Sequence, residues 1–292
     1  DFRTVTLPRS FTDPVVIAKP LETTSPGDVG SSVRKEERAH PRIRNVTSTS
    51  FDIRVEEWSV QDDTSHPPAN VSYIVAEAGT TTLDDGTKLS AGTIDLNEGD
   101  GLTRITFGET LSNPVAFTQT QTANDPAAVS TRLEGVTSTR LDTRIENDGS
   151  KGASHGTETL GYIAIESGEA RLGETGFTAG DTGDVVTHAL TTISFGSAYP
   201  AGFIADMQTI DGPQESYLRY DDRTDSSVGV RIEEDPSRSG SDSHTTEVVG
   251  YLAWDTNTAA GGTQSNTLTV DTTAPSFGAV SITRTGGDPP LS

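Results

Sequence analysis

One closing segment is written three times in this chain. It reads Ser65-His66-Pro67-Pro68-Ala69-Asn70-Val71-Ser72-Tyr73-Ile74-Val75-Ala76, then Ser154-His155-Gly156-Thr157-Glu158-Thr159-Leu160-Gly161-Tyr162-Ile163-Ala164-Ile165, then Ser243-His244-Thr245-Thr246-Glu247-Val248-Val249-Gly250-Tyr251-Leu252-Ala253-Trp254. The tyrosines fall at 73, 162 and 251 and the histidines at 66, 155 and 244, so both steps are 89 residues. A fixed period of this kind marks repeated structural units. The fold must therefore be one that about 90 residues can build, three times over. The repeats divide the chain into 1–100 (first unit with a linking hairpin), 101–183, 184–255 and a tail, 256–292.

The texture within a unit is that of an all-β protein, with short alternating apolar segments between Gly, Thr and Ser clusters. No stretch repeats apolar residues at helical spacing. Thr4–Leu7 and Pro14–Ala18 read as strands, the second with a proline at its entry, where a strand tolerates one. Residues 22–37 read as an inserted loop, because Pro14 to Pro114 spans 100 residues and Pro114 to Pro200 only 86. In the next strand Phe51, Ile53 and Val55 alternate with Asp52, Arg54 and Glu56, giving one core face and one polar face. Arg54/Glu56, Arg144/Glu146 and Arg231/Glu233 hold the same places in the three units. They read as an ion-pair lattice, with Glu158 and Glu247 as further partners and Ala69 standing in their place in the first unit. The closing strand is apolar on both sides: Leu160, Tyr162 and Ala164 one way, Ile163 and Ile165 the other. A sheet with one wet face does not look like this, so both faces are expected to be covered.

Glycine-bounded, leucine-bearing links at 79–92 and 168–180 read as hairpins, with Asp85-Gly86 as a turn signal. Thr256–Ser265 reads as a linker, and Asn266–Val270 and Phe277–Thr283 as short strands flanking Asp271–Pro275. A tail of that size buries no core of its own and is expected to dock or stay flexible. The chain opens in a strand-like segment rather than a leader, which reads as a mature or trimmed fragment.

Charge sets the chemistry of the surroundings. With 43 acidic and 21 basic residues the net charge is −22. That disfavours nucleic acid and anionic membrane as partners, and it suits a protein kept soluble in high salt. There is no cysteine, hence no disulfide, and no apolar run of the length a membrane helix needs.

Catalytic patterns are scarce. His155-x-x-Glu158 and His244-x-x-Glu247 have a metal-like look, but on a strand i and i+3 point to opposite faces, so each pair is expected not to share an ion. His66, His155 and His244 meeting on an axis would be the alternative cation site. Asp84-Asp85-Gly86 and Glu98-Gly99-Asp100-Gly101 are oxygen-rich turns where calcium would sit, without the spacing of a known calcium loop. Neither a nucleophile elbow nor a phosphate loop is written here. The expectation is a non-enzyme without a resident cofactor or metal. Asn45-Val46-Thr47 and Asn70-Val71-Ser72 are glycosylation sequons.

At 42–76, 132–166 and 219–254 the chain resembles the H-type lectin domain family, that of snail agglutinins and the discoidin C-terminal domain. Thr4–Ala18, Asn45–Phe51, Trp58 and Tyr73–Ala76 match its pattern in order. The resemblance covers 4–255 and implies three tandem six-stranded antiparallel β-sandwiches, arranged with pseudo-threefold symmetry, plus a short β tail. It also implies sugar binding at the seams. Arg38, four residues before Arg42, fits the family's key arginine, but Ala128 and Glu215 stand there in the other units. After Trp58 the family's usual histidine is replaced by Ser59, with His66 further along. The family's upstream aspartate has no counterpart. The fold is thus expected to carry over, and a partial carbohydrate site of Arg38, Trp58, Ser59 and His66 only in the first unit.

Two functions follow. One is an extracellular, cell-surface or virion-surface module that binds glycans or glycoproteins. The other is a structural subunit of a filament, sheath or fibre, self-associating, with the tail adding a strand to a neighbour.

Overall fold

The computed structural model describes residues 2–23, 38–58, 69–147, 155–235 and 243–255, together with the backbone pairing of 276–282. It is all-β: the described residues contain no α-helix and one short 3-10 turn, Glu98–Asp100. Ser59, His66, most of the 22–37 insertion, Thr256–Ser265, Asn266–Val270 and Asp271–Pro275 lie outside the described residues.

The first unit runs β1 (Arg3–Thr6), β2 (Pro14–Ile17), β3 (Leu21–Glu22), β4 (Ala39–Arg44), β5 (Ser50–Glu57) and β6 (Ala69–Glu77). A hairpin follows, β7 (Gly79–Thr82) and β8 (Lys88–Leu96). The second unit repeats the plan as β9 (Thr103–Thr106), β10 (Pro114–Thr120), β11 (Val129–Glu134), β12 (Arg140–Asn147) and β13 (Glu158–Glu166). After the hairpin β14 (Gly168–Leu172) and β15 (Thr175–Val186) come β16 (Thr191–Ser194), β17 (Gly202–Met207), β18 (Ser216–Asp221), β19 (Ser227–Glu234) and β20 (Glu247–Trp254). The last strand is β21 (Ser276–Ile282).

The pairing is the same in each unit. Three strands form one sheet, β1-β5-β4, β9-β12-β11 and β16-β19-β18, and the closing strand pairs antiparallel with the strand that opens at or just after the proline: β6 with β2, β13 with β10, β20 with β17. The alternation seen in the sequence sets which side is buried. Phe51, Ile53 and Val55 turn into the first unit's own core with Val71, Tyr73 and Val75. Each three-stranded sheet reverses direction at a left-handed residue, Asn45 (φ 51°), Gly135 (φ 61°) and Asp222 (φ 47°). These are residue types that reach this region at low cost.

The doubly apolar closing strands are covered on both faces, as their pattern predicts. Leu160, Tyr162 and Ala164 enter the second unit's core. Ile163 and Ile165 enter a separate central cluster with Ile74, Ala76, Leu252 and Trp254 from the other two closing strands. Full burial of such side chains stabilises by about 1.5–3 kcal/mol each, so the shared cluster binds the three units to one another.

The hairpins take part in this exchange. The β7–β8 hairpin follows the first unit in sequence, yet β8 pairs with β13 of the second. In the same way β15, which follows the second unit, pairs with β20 of the third. Opposite Tyr162 lies Gly92, and opposite Tyr251 lies Gly180. A Cβ at Gly92 would stand 2.9 Å from Tyr162 Cε1, and one at Gly180 2.9 Å from the Tyr251 hydroxyl. The ring therefore lies across a glycine, and any larger residue there would have to push the ring aside.

The insertion read as a loop from 22 starts inside a strand: Glu22 belongs to β3, which pairs in parallel with β18 and antiparallel with β6. Its partners are distant in sequence and it has two residues, so no local periodicity could have announced it. β3 joins the first and third units into one sheet ordered β16-β19-β18-β3-β6-β2.

Candidate functional site

Where the three units meet, polar and charged side chains are buried in unusual number, and this centre is the candidate site. Arg42, Arg132 and Arg219 occupy equivalent places on β4, β11 and β18, and all three are buried. Arg42 Nη2 donates to Glu158 Oε1 of the second unit at 2.7 Å, and Arg132 Nη2 to Glu247 Oε1 of the third at 2.8 Å. In the first unit Ala69 takes the glutamate's place. Arg219 of the third unit instead donates to main-chain oxygens there: Leu21 at 3.2 Å, Ala39 at 3.1 Å and Glu22 at 2.9 Å. The contacts thus run from first unit to second, second to third and third back to first.

The Arg-x-Glu pairs bond within their own strand: Arg54–Glu56 at 2.7 Å, Arg144–Glu146 at 2.6 Å and Arg231–Glu233 at 3.0 Å. Behind them stand the buried arginines, with Arg42 3.6 Å from Glu56 and Arg219 3.5 Å from Glu233. The glutamates also reach the next unit, Glu56 accepting from Val129 N and Glu146 from Ser216 N, each at 3.3 Å, so this end of the polar face is a seam between units. Burial raises the Glu56 carboxyl, but Arg42, His40 and Arg54 outweigh it and hold Glu56 well below the usual carboxylate range.

The histidine–glutamate pairs correct the expectation from strand alternation. His155 Nε2 lies 3.1 Å from Glu158 Oε1. His155 precedes β13, so the alternation that would separate i from i+3 does not apply to it. Glu158 also accepts the amides of Asn124 and Asp125 at 3.0 and 3.1 Å, and the Thr122 hydroxyl. Burial alone would lift this carboxyl; the His155 bond, the Arg42 charge and the Thr122 hydroxyl bring it down to about 2. Around Glu247 the arrangement recurs, with the amides of Asp211 and Gly212 and the Thr209 hydroxyl. His155 and His244 thus sit at different seams. Among the described residues no three His, Cys, Asp or Glu side chains converge as metal ligands would.

Two glutamines form a second device. Gln121 clasps β2 of the first unit, accepting from Val16 N at 2.9 Å and donating to Val16 O at 2.8 Å. Gln208 clasps β10 in the same way through Ala116, at 2.9 and 2.8 Å. Leu21 occupies the equivalent place in the first unit and can make no such clasp.

On the central line between units, Lys19, Gln119 and Asp206 are equivalent positions occupied by three different residues. Lys19 Nζ donates to Asp206 Oδ2 at 2.7 Å and to Thr131 Oγ1 at 3.1 Å. Burial pushes Lys19 down and Asp206 up, each toward its neutral form, and their mutual contact opposes both shifts. Gln119 accepts from Ala18 N at 2.6 Å and donates to Pro41 O at 3.1 Å. These residues line a cavity of about 30 Å³ together with His40, Ser130 and Tyr217. His40, Ser130 and Tyr217 are again one equivalent position from each unit. His40 Nδ1 and Ser130 Oγ have no protein hydrogen-bond partner. A polar space of this size accommodates roughly two waters.

Of the four sequence-predicted sugar residues, the structure places Arg38 and Trp58 in this interior, and Ser59 and His66 lie outside the described residues. Arg38 is 5% exposed and its Nη1 donates to Glu234 O of the third unit at 2.8 Å. Trp58 has no exposed surface and packs against His40 and Tyr217, with ring centroids 5.3 and 5.8 Å apart. Asn45 and Asn70 are exposed, and their side-chain amides donate to Asp52 and Glu22. Sequence reasoning missed Gln121, Gln208, Lys19 and Asp206. The recurrence of glutamine at 121 and 208, with leucine at 21, was the available signal. The acidic turns have local partners: Asp85 accepts the amides of Thr87 and Arg171, and Asp100 that of Asn97.

No family model matches the chain, and no solved structure matches it. It is 64% identical over 295 residues to a protein named Halomucin from Haloquadratum walsbyi (strain DSM 16790 / HBSQ001), an alignment that takes in 100% of this chain. The chain spans 3% of that relative's length, so what is shared is a small segment of a very long protein.

Proposed function

We propose that this chain is a non-catalytic structural module of an extracellular surface protein adapted to high salt, built from three H-type-lectin-like β-sandwiches closed into a ring. The observation that carries the reading is the fate of the residues a lectin would turn outward. Arg38 and Trp58 are spent inside the seams, one on a main-chain carbonyl and one in an aromatic cluster. They stabilise the assembly of units and are closed to a ligand from solvent. The net charge of −22 supports the high-salt setting. The name Halomucin supports a surface role, and a virion surface has no such support.

A glycan array probed with intact protein in molar salt tests this. No binding above background is the expected result. Binding that is lost on His66→Ala or Ser59→Ala would restore the carbohydrate-binding reading, with glycans or glycoproteins as partners. Mass measurement of protein from its native host reports on sugar at Asn45 and Asn70. Glycans found there would make the module a carrier of sugars rather than a reader of them.

A further inference from the structure

Each unit is followed in the chain by a strand that pairs with the closing strand of the next unit. After the first unit comes β8, which pairs with β13; after the second comes β15, which pairs with β20. After the third comes β21, and it pairs antiparallel with β6 of the first unit. The register is the same as well. Gly278 stands opposite Tyr73, as Gly92 stands opposite Tyr162 and Gly180 opposite Tyr251. Thus β21 belongs to the β8 and β15 series by chain position, by slot and by the glycine in register with the tyrosine.

One difference separates the three. Between Glu77 and Lys88, and between Glu166 and Thr175, only a hairpin intervenes, so β8 and β15 are bound to the following unit by sequence. β21 is joined to the third unit through residues 256–275, and the first unit it completes lies at the other end of the chain. Nothing in the pairing distinguishes the β6 of its own chain from the β6 of another. The backbone pairing of β21 with β6 is the same in either case, which is the condition under which exchange of an element between copies costs little.

We propose that the β6 edge of the first unit is a strand-acceptor site, and that its partner is β21 of a second copy of this chain. Such copies join head to tail, each completing the next. The proposal deepens the structural reading by naming the joint, and its test is independent of the glycan array. A strand tethered through a linker of this length competes at an effective concentration in about the millimolar range. Exchange is therefore expected at high protein concentration, or where copies are crowded on a surface.

The absence of cysteine makes the test clean. Asn70 and Ser281 are register partners, and directly opposed residues of an antiparallel pair lie within disulfide reach, at about 4.5–5.5 Å between Cα atoms. Full-length Asn70→Cys and Ser281→Cys chains are mixed, concentrated toward the millimolar range in molar salt and oxidised. The expected result is a covalent heterodimer that neither variant forms alone, increasing with concentration. The double variant, oxidised when dilute, should cross-link within one chain. If it does so while the mixture yields no heterodimer at any concentration, the strand is confined to its own chain and the proposal is overturned. Failure of the double variant to cross-link overturns it too, because the β21–β6 register is then wrong.

Discussion

The seam between the first and second units and the seam between the second and third are built alike. Each has a buried arginine on a buried glutamate, and a glutamine clasping a neighbouring strand. The seam that closes the third unit onto the first has neither. Ala69 and Leu21 replace the glutamate and the glutamine, Arg219 turns to main-chain oxygens, and β3 fuses the two units into a single sheet. Backbone pairing is added here, and the side-chain contacts that cross this seam are of another kind, Lys19 on Asp206 and Arg38 on the Glu234 carbonyl. A side-chain lock depends on charge and can be broken by one substitution; a strand lock depends on register and is spread over several bonds.

The largest expected effect comes from removing the arginine at a side-chain seam. Arg132→Met leaves Glu247 buried without its cation and should cost about 3–5 kcal/mol. Arg219→Met leaves uncharged carbonyls short of donors, while Glu233 keeps Arg231, and should cost about 1–3 kcal/mol. Denaturant titrations at one salt concentration measure both. Equal losses would mean that the seams differ in form and not in energy.

Acid should separate them next. The Glu158 carboxyl titrates at about 2 in the folded protein against 4.5 for the free group. Its contribution is therefore fully present above about pH 4.5 and is lost as pH falls toward 2. Glu158→Gln should flatten that part of the stability–pH curve, measured by thermal melts across pH 2–6. The closing seam has Ala69 at this place and adds nothing to the slope from there. An unchanged acid limb in Glu158→Gln would move the sensitivity to other carboxylates.

A smaller effect is expected on copying the first unit's residue into the second. Gln121→Leu leaves Val16 N and O without their partner and should cost about 1–3 kcal/mol. If that loss is absent, leucine packing compensates and the clasp is a matter of register alone. The smallest is Gly92→Ala, whose Cβ must displace the Tyr162 ring, for about 1–2 kcal/mol. Hydrogen exchange along β8 and β13 would show the loss to be local.

Much of this architecture is legible in the sequence because it is written by periodicity. The 89-residue step gives the number of units, the Phe51/Ile53/Val55 alternation gives a core face, and the apolar run through Tyr162 announces strands covered twice. The centre was harder to read, for physical reasons. Arg42 and Arg132 look like surface charges until a partner 116 or 115 residues away is known, and Arg219 until carbonyls 180 to 198 residues away are; strand β3 is defined only by neighbours distant in sequence. Arg38 and Trp58 match a sugar-binding pattern by residue type. Their burial depends on how the units meet, which no local pattern encodes.

The slot filled by β21 also has a consequence in time. β6 ends at Glu77 and its outer neighbour begins at Ser276, about 200 residues later on the ribosome. At roughly 5–20 residues per second, a nascent chain carries that hydrogen-bonding edge uncovered for about 10–40 s. Bare edges of this kind recruit other strands. The first unit to be made is thus the last to be finished, and whatever strand arrives during that wait decides what the molecule becomes joined to.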